Sequence, residues 1–241
     1  MRIDGRKPSE LRQVEFIPNF VDYPEGSILI AQGNTRILCN VTIEHGVPNW
    51  MKSNNIPGGW ITAEYAMLPR ATHQRTPRES SMPSGRTQEI RRLIGRSLRA
   101  AIELEKLGPR TCIVDCDVLQ ADGSTRTAAI TGGFVALAIA LKRLTNQGIL
   151  VDDVVTKQVA AVSVGILNHQ PLLDLCYEED VAADVDANIV MTSQGDFVEL
   201  QATAEKHPFS YQKMEEILNL AQVGIARLME LQVIAIEAGL Q

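Results

Sequence analysis

Polar and apolar positions alternate through the first part of the chain and change to helical spacing after residue 87. The span 11–43 is strand-like, with β-rich runs at 27–32 and 35–44 on either side of Gly33-Asn34, a pair that predicts a hairpin. Pro48, Pro57 and Gly58-Gly59 break residues 45–59 into a loop, and 61–68 returns to a strand pattern. Residues 69–84 hold three prolines and no apolar period, which predicts an exposed loop. Ile90, Leu93, Ile94, Leu98, Ala101 and Ile102 then recur near the ~3.6-residue helical period. A helix is predicted from about Thr87 to the Gly108-Pro109 break, with Arg92, Arg96 and Arg99 on its outer side.

Residues 111–120 predict a strand with Cys112, Val114, Cys116 and Val118 on one face and Asp115 and Asp117 on the other. Asp122-Gly123 turns the chain into a second helix, 125–144, apolar nearly all round and so expected to be covered on every side. Strands are predicted at 159–166, 171–175, 184–192 and, after a Gly195-Asp196 turn, 197–203. Ser210 would cap a last helix from Tyr211 to about Leu228 or on to Ile236. This order predicts an α+β fold with sheets packed round buried helices, in one domain spanning 1–241. The hairpins at Gly33 and Gly195 hint at an internal repeat.

Composition narrows the class. With 241 residues, 45% hydrophobic and 22% charged, the chain has ordinary globular balance, and with aromatics at 5% its core is expected to be aliphatic. The 4 cysteines are too few for a disulfide scaffold and are expected to be reduced, in a cytoplasmic protein. The first residues carry no apolar leader, and the longest apolar run, 128–141, falls short of the roughly 20 residues of a membrane span. Net charge is −6, but it is unevenly distributed. Between Arg70 and Arg99 stand eight arginines against Glu79 and Glu89, a local balance of +6 set against −12 elsewhere. Arginine forks match phosphate oxygens in pairs. At the other pole, residues 174–186 carry six acids and no base. Either these segments are two solvated faces, or they form a site that holds a polyanion against a metal cation.

The most specific local signal is the strand-turn-helix at 115–126. Helix N-termini leave N–H groups without partners and carry partial positive charge. Ser124, Thr125 and Arg126 at such a place suit a phosphate. A plain N-cap would explain Ser124 and Thr125 and leave Arg126, whose charge opposes the helix dipole, without a reason. Ser84-Gly85-Arg86-Thr87 opens the other helix in a similar way, although many loop-to-helix junctions look alike. In residues 179–186, Asp184, Asp186 and Asn188 would share one strand face, and crowded carboxylates suit Mg²⁺ or Mn²⁺ or else an acidic surface loop. Neither a zinc pattern, a Walker lysine, GxGxxG nor a Ser/His or Cys/His pair is evident, so phosphoryl or nucleotidyl transfer is the favoured chemistry.

The segments GWITAEYAMLPRATHQRTPRES, GRTQEIRRLIGRSLRA, DCDVLQADGSTRTAAITG, AAVSVGI and YEEDVAADVDANIVMT, in this order, resemble the bacterial ribonuclease PH family. The resemblance implies two βαβ-like halves with sheets around central helices, the ribosomal protein S5 domain 2-like arrangement. It implies a phosphate-dependent 3′→5′ exoribonuclease that trims precursor tRNA, releases nucleoside diphosphates and can run in reverse, with rRNA as a further substrate. It also implies a homohexamer built as a trimer of dimers, Mg²⁺ or Mn²⁺, and neither DNA nor a membrane as partner. Carried over, the phosphate site falls on Arg86, Ser124, Thr125 and Arg126, the metal carboxylates on Asp180 and Asp186, and the RNA contacts on Arg70, Arg75 and Arg78. Asp180, Asp186 and Arg126 would serve the chemistry. Two positions depart from the family pattern: Ser124 replaces a usual second glycine and Asp184 a usual glutamate. A serine there would be strained if the turn needs positive φ, whereas its hydroxyl could add a donor if only the N–H is used.

Overall fold

The computed structural model of the chain describes residues 2–78 and 83–241. Alternation in the first part produces three antiparallel neighbours, Val14–Pro18 (β1), Gly26–Gln32 (β2) and Thr35–His45 (β3). The turn between β2 and β3 closes because Gly33 takes a φ of +58°, which a side chain would resist. Within the expected loop after β3, Asn49–Ser53 forms a short helix (α1) that buries Met51. Trp60–Met67 (β4) then passes through the Arg-rich loop, part of which, 79–82 with Glu79, lies outside the described residues, to Gly85–Arg99 (α2). After Leu104–Leu107 (α3), the strand Arg110–Gln120 (β5) returns parallel to β4 and antiparallel to β3. The first sheet has the order β1-β2-β3-β5-β4.

The predicted stripe of α2 is buried as expected, but the helix starts two residues earlier and stops sooner. Ser84 caps it by accepting the Thr87 N–H at 3.2 Å, so Arg86 lies inside the first turn. It ends at Arg99 because Ile102 leaves helical geometry to bridge Val155, and the Glu103 N–H bonds the Val154 carbonyl at 2.9 Å. Arg99 folds back over Trp60 at 4.3 Å and donates to the Ile61 carbonyl at 2.7 Å.

Thr125–Asn146 (α4) runs from the end of the first sheet to the second. That sheet comprises Val159–Leu167 (β6), Gln170–Leu173 (β7), Val185–Thr192 (β8) and Phe197–Ala204 (β9), antiparallel in the order β7-β6-β8-β9. A six-residue helix, Tyr177–Ala182 (α5), sits between β7 and β8, where the sequence showed only acidity. The last helix runs from Tyr211 to Gly239 (α6). In the first half, α2 is the crossover of a parallel pair; in the second, α6 follows an antiparallel sheet and packs on it.

The helix α4 contacts strands of both sheets as well as α2 and α6, and Thr127 to Leu141 are all buried. Two helices, α4 and α6, are long and apolar enough by length and composition to cross a membrane; in α4 the apolar window is 89% buried within the protein, which accounts for its character. Close approach of α4 to the first sheet depends on Gly132, where an added Cβ would stand 2.7 Å from the Ile30 side chain and 3.2 Å from the Cys39 sulfur. Beneath the helix, Cys39 and Cys116 face each other across β3 and β5. All four cysteines are free and buried; hydrogen bonding with Cys39 and burial push Cys116 well up, and burial takes Cys112 up to about 12.

The N-terminal segment ties the two sheets together at one end. Arg2, 7% exposed, makes two bonds to Glu179, at 2.8 and 2.6 Å, and reaches the Leu173 and Asp174 carbonyls. Arg12 holds Asp174 from its backbone N–H at 2.8 Å, Nε at 3.0 Å and Nη2 at 2.6 Å, and also donates to the Asp122 carbonyl.

Gly132→Ala should lower the unfolding free energy by about 1–3 kcal/mol through overpacking. Gly85→Ala, at a position with open space around it, should be neutral or stabilising by up to about 1 kcal/mol. Urea unfolding of the two variants beside the parent checks the contrast; equal effects would mean that α4 and the first sheet repack freely.

Candidate active site

The N-terminus of α4 opens into a cleft of about 1040 Å³ between the two sheets. One wall carries Arg86 from α2 and Ser124, Thr125 and Arg126 from α4; the other carries Asp180 from α5 and Asp186 from β8. Six of the residues expected to act on phosphate or metal are therefore brought to one place. Hairpin register explains part of the assembly, since Asp186 pairs with Thr203 and Asn188 with Gln201 across β8 and β9.

Ser124 takes one of the two geometries its sequence left open. It occupies the left-handed region, φ 55° and ψ 24°, and makes no side-chain cap. Its hydroxyl lies 2.7 Å from Ser163 Oγ, 3.1 Å from Asp174 Oδ1 and 3.1 Å from the Leu175 carbonyl. Of the two alternatives for Ser124, the structure shows the positive φ, with the hydroxyl engaged by the protein. The positive φ explains why a glycine suits the position. Thr125 keeps a hydroxyl at the helix start, where Tyr65 OH donates to it at 2.9 Å. Burial raises the phenol of Tyr65, against the pull of Thr125, Arg86 and Arg126, so it stays a donor.

Arg126 is aimed by Gln201 Oε1 at 3.1 Å and by Glu89 Oε1 at 3.4 Å. These partners answer the dipole objection only in part, because an anion at the helix start would still be attracted by both. On the acidic wall, burial and the neighbouring charge of Asp180 push Asp186 up to about 6, against Arg126 and a 3.3 Å hydrogen bond from the Asn188 amide. Asp180 is raised too, by desolvation, while Arg86 and Arg126 pull it down. Two partly buried carboxylates, both raised by desolvation and one of them also by the other's charge, with a side-chain amide beside them, fit a hard cation of the Mg²⁺ type, which takes one or two protein carboxylates and completes its shell with water and phosphate. Among the described residues no group of three or more His, Cys, Asp or Glu forms a denser metal cage. Asp184 is occupied differently, in an ion pair with Lys206 at 3.1 Å that helps hold its carboxyl below the usual range.

The three loop arginines, Arg70, Arg75 and Arg78, are exposed, and none lines this cleft. Arg70 faces an adjoining cleft of about 670 Å³, which meets the first at Thr72, His73 and Ala121. Gln74 and Thr76 of the same loop do reach the main cleft. Asn188 stands beside Asp186 as the shared strand face predicted, while Tyr65 and Gln201 belong to the site without having carried a sequence signal of their own; counting register on from the Gly195 turn is the route to Gln201.

Comparison with known proteins gives a consistent result. The 3′ exoribonuclease family, domain 1, matches residues 10–142, and domain 2 of that family matches residues 157–224. Ribonuclease PH of Bacillus velezensis is 54% identical over 235 residues, covering 96% of this chain and 95% of that protein. Ribonuclease PH of Solibacter usitatus is 53% identical over 234 residues, covering 96% and 98%. Among solved structures, the Archaeoglobus fulgidus exosome with RNA bound to the active site superposes with a TM-score of 0.80 at 24% identity over 95% of this chain and 91% of that one. Rice (Oryza sativa) Rrp46 gives 0.77 at 19% identity over 98% and 100%. These two likenesses bear on the fold, which is the expected one.

The raised Asp186 has a measurable consequence for stability. Its ionised form is less favoured in the folded chain than in the unfolded one, so folding loses stability as pH rises from about 3.8 through about 6 and is unaffected below that window. In chelator, Asp186→Asn should therefore be more stable than the parent above pH 6, by on the order of 1–2 kcal/mol once solvent screening is allowed for. At pH 3.5 the two should coincide. Denaturation midpoints across pH decide it, and parallel curves would remove the strain between the carboxylates.

Proposed function

The chain belongs to the 3′ exoribonuclease family, and from that premise we propose how its cleft performs phosphorolysis. The enzyme is a phosphate-dependent 3′→5′ exoribonuclease that shortens the 3′ tail of tRNA precursors. One observation carries the reading of the site: an Arg-flanked helix start and a pair of carboxylates raised by burial face each other across a single cleft. That arrangement suits an anion that attacks and a charge that must be offset, with no protein nucleophile between them.

Inorganic phosphate binds at the start of α4, held by Arg86, Arg126, the first free N–H groups of the helix and the Thr125 hydroxyl. Tyr65 and Gln201 keep Thr125 and Arg126 in place for this. A phosphate oxygen then forms a bond to the terminal phosphorus as the bond to the preceding 3′ oxygen breaks. A nucleoside diphosphate leaves and the RNA is one nucleotide shorter. The side chains supply position and preorganised charge. Asp180 and Asp186 would hold Mg²⁺ or Mn²⁺, which when bound supplies positive charge to the reacting phosphoryl group. A phosphodiester is exchanged for a phosphoanhydride of similar energy, so nucleoside diphosphates add to RNA 3′ ends in the reverse direction. The two walls come from different halves of the chain, so the halves act as one catalytic unit.

The exposed Arg70, Arg75 and Arg78 guide RNA towards the cleft. In a homohexamer, a trimer of dimers, several such loops would gather positive charge that the acidic chain as a whole lacks. Precursor tRNA and rRNA in the cytoplasm are the substrates this arrangement serves.

A short 3′-tailed RNA should yield nucleoside diphosphates only when phosphate is supplied; monophosphates formed without phosphate would make the enzyme a hydrolase. Arg126→Ala should reduce phosphorolysis by on the order of 10²–10³ with RNA affinity little changed, and a parental rate at low phosphate would move the anion site elsewhere. Replacing Arg70, Arg75 and Arg78 together with Ala should lower the slope of log tRNA affinity against log salt by up to about 1 for each RNA phosphate that is no longer neutralised. Light scattering is the control, because loss of the oligomer would assign these arginines to assembly.

A further inference from the structure

We propose that Ser163 and Asp174 are positioning residues for phosphate: through the Ser124 hydroxyl they hold the turn at 122–125 in the left-handed shape that directs its N–H groups into the cleft. The inference rests on the phosphate reading above and goes beyond it, because it assigns neither residue to contact with the anion.

The bonds around Ser124 have a fixed direction. A hydroxyl has one proton to give. Leu175 N–H donates to Ser163 Oγ at 3.1 Å. The remaining partners of Ser124, the Leu175 carbonyl and the Asp174 carboxylate, can only accept. Ser124 therefore gives its proton to one of them and receives that of Ser163 across 2.7 Å. Burial would raise Asp174, but the Arg12 charge and its hydrogen bonds take it below its ordinary range and keep it an acceptor. The relay runs from Leu175 N–H through Ser163 and Ser124 towards Asp174, with each member buried or half-buried.

The relay is anchored at both ends of the turn. Asp174 is fully buried and gripped three times by Arg12, and the same guanidinium holds the Asp122 carbonyl. Thr35 receives the Asp122 N–H at 3.0 Å and donates to the Gly123 carbonyl at 2.7 Å. A left-handed serine is disfavoured relative to ordinary backbone. Without its hydroxyl bonds the residue would relax towards negative φ and turn the N–H groups of the helix start away from the anion.

The test is steady-state phosphorolysis of a short 3′-tailed RNA with phosphate varied, using the parent, Ser163→Ala, Ser124→Gly and the double variant. Ser163→Ala should raise the KM for phosphate about three- to tenfold, the range of one buried hydrogen bond. Its kcat at saturating phosphate and its RNA affinity should stay within about twofold of the parent. Ser124→Gly removes both the hydroxyl and the strain, so adding Ser163→Ala to it should change KM little further, a non-additivity that simple packing loss does not produce. An unchanged phosphate KM in Ser163→Ala, or the same fold-change in both backgrounds, would overturn the proposal while leaving the parent's phosphate dependence intact. A parent that ignores phosphate would overturn the reading beneath it. Should Ser163→Ala fail to fold, Ser163→Cys, whose thiol is a weaker donor, takes its place: a raised phosphate KM in the parent background and little further change beside Ser124→Gly are expected, and an unchanged phosphate KM would overturn the proposal.

Discussion

A helix that is apolar on every side has to be covered on every side, and the rest of this structure follows from how α4 meets that demand. Strands of both sheets and two further helices close around it, so neither sheet has a complete core alone. Small residues at Gly132 and Gly133 let the first sheet approach its backbone. The only polar end that such a helix can show is a terminus. Its N-terminus emerges at the seam between the sheets, and the cleft forms there because that is where the coverage stops. The anion-binding potential of the helix start is thus a product of the same packing that hides the remainder of the helix.

Charge is arranged around this point by neighbours drawn from distant parts of the sequence. Arg126 would be unfavourable at a helix N-terminus in isolation; Glu89 from α2 and Gln201 from β9 make the position tolerable and orient the guanidinium. Asp186 is held in the opposite kind of tension, with burial and Asp180 opposing its ionisation. Each wall carries a charge the protein has only partly compensated, and the two signs differ. The proposed phosphate on one side and cation on the other would relieve both at once.

Much of the fold was legible in the chain because its signals are local. Alternation placed the strands of the first sheet, Gly33 and Gly195 placed two hairpins, and the continuous apolar run of residues 128–141 identified the central helix. The helices without a sequence signal, α1 and α5, are five and six residues long, too short for a period to repeat. The early end of α2 depends on Ile102 meeting Val155 fifty residues away, which no local pattern contains. At the site, the strand-turn-helix at 115–126 points to Thr125 and Arg126 by composition alone. The engagement of Ser124 by Ser163 and Asp174, and of Thr125 by Tyr65, depends on long-range contacts.

The buried cysteines give the molecule a built-in chemical clock. Cys39 and Cys116 lie under α4, fully shielded, and burial helps hold the Cys116 thiol far from its reactive thiolate form. Thiolate is the species that attacks a thiol reagent, so labelling at these two positions waits until the helix lifts from the first sheet. The lag before modification at these two positions then reports the lifting of α4 from the first sheet, without any introduced probe.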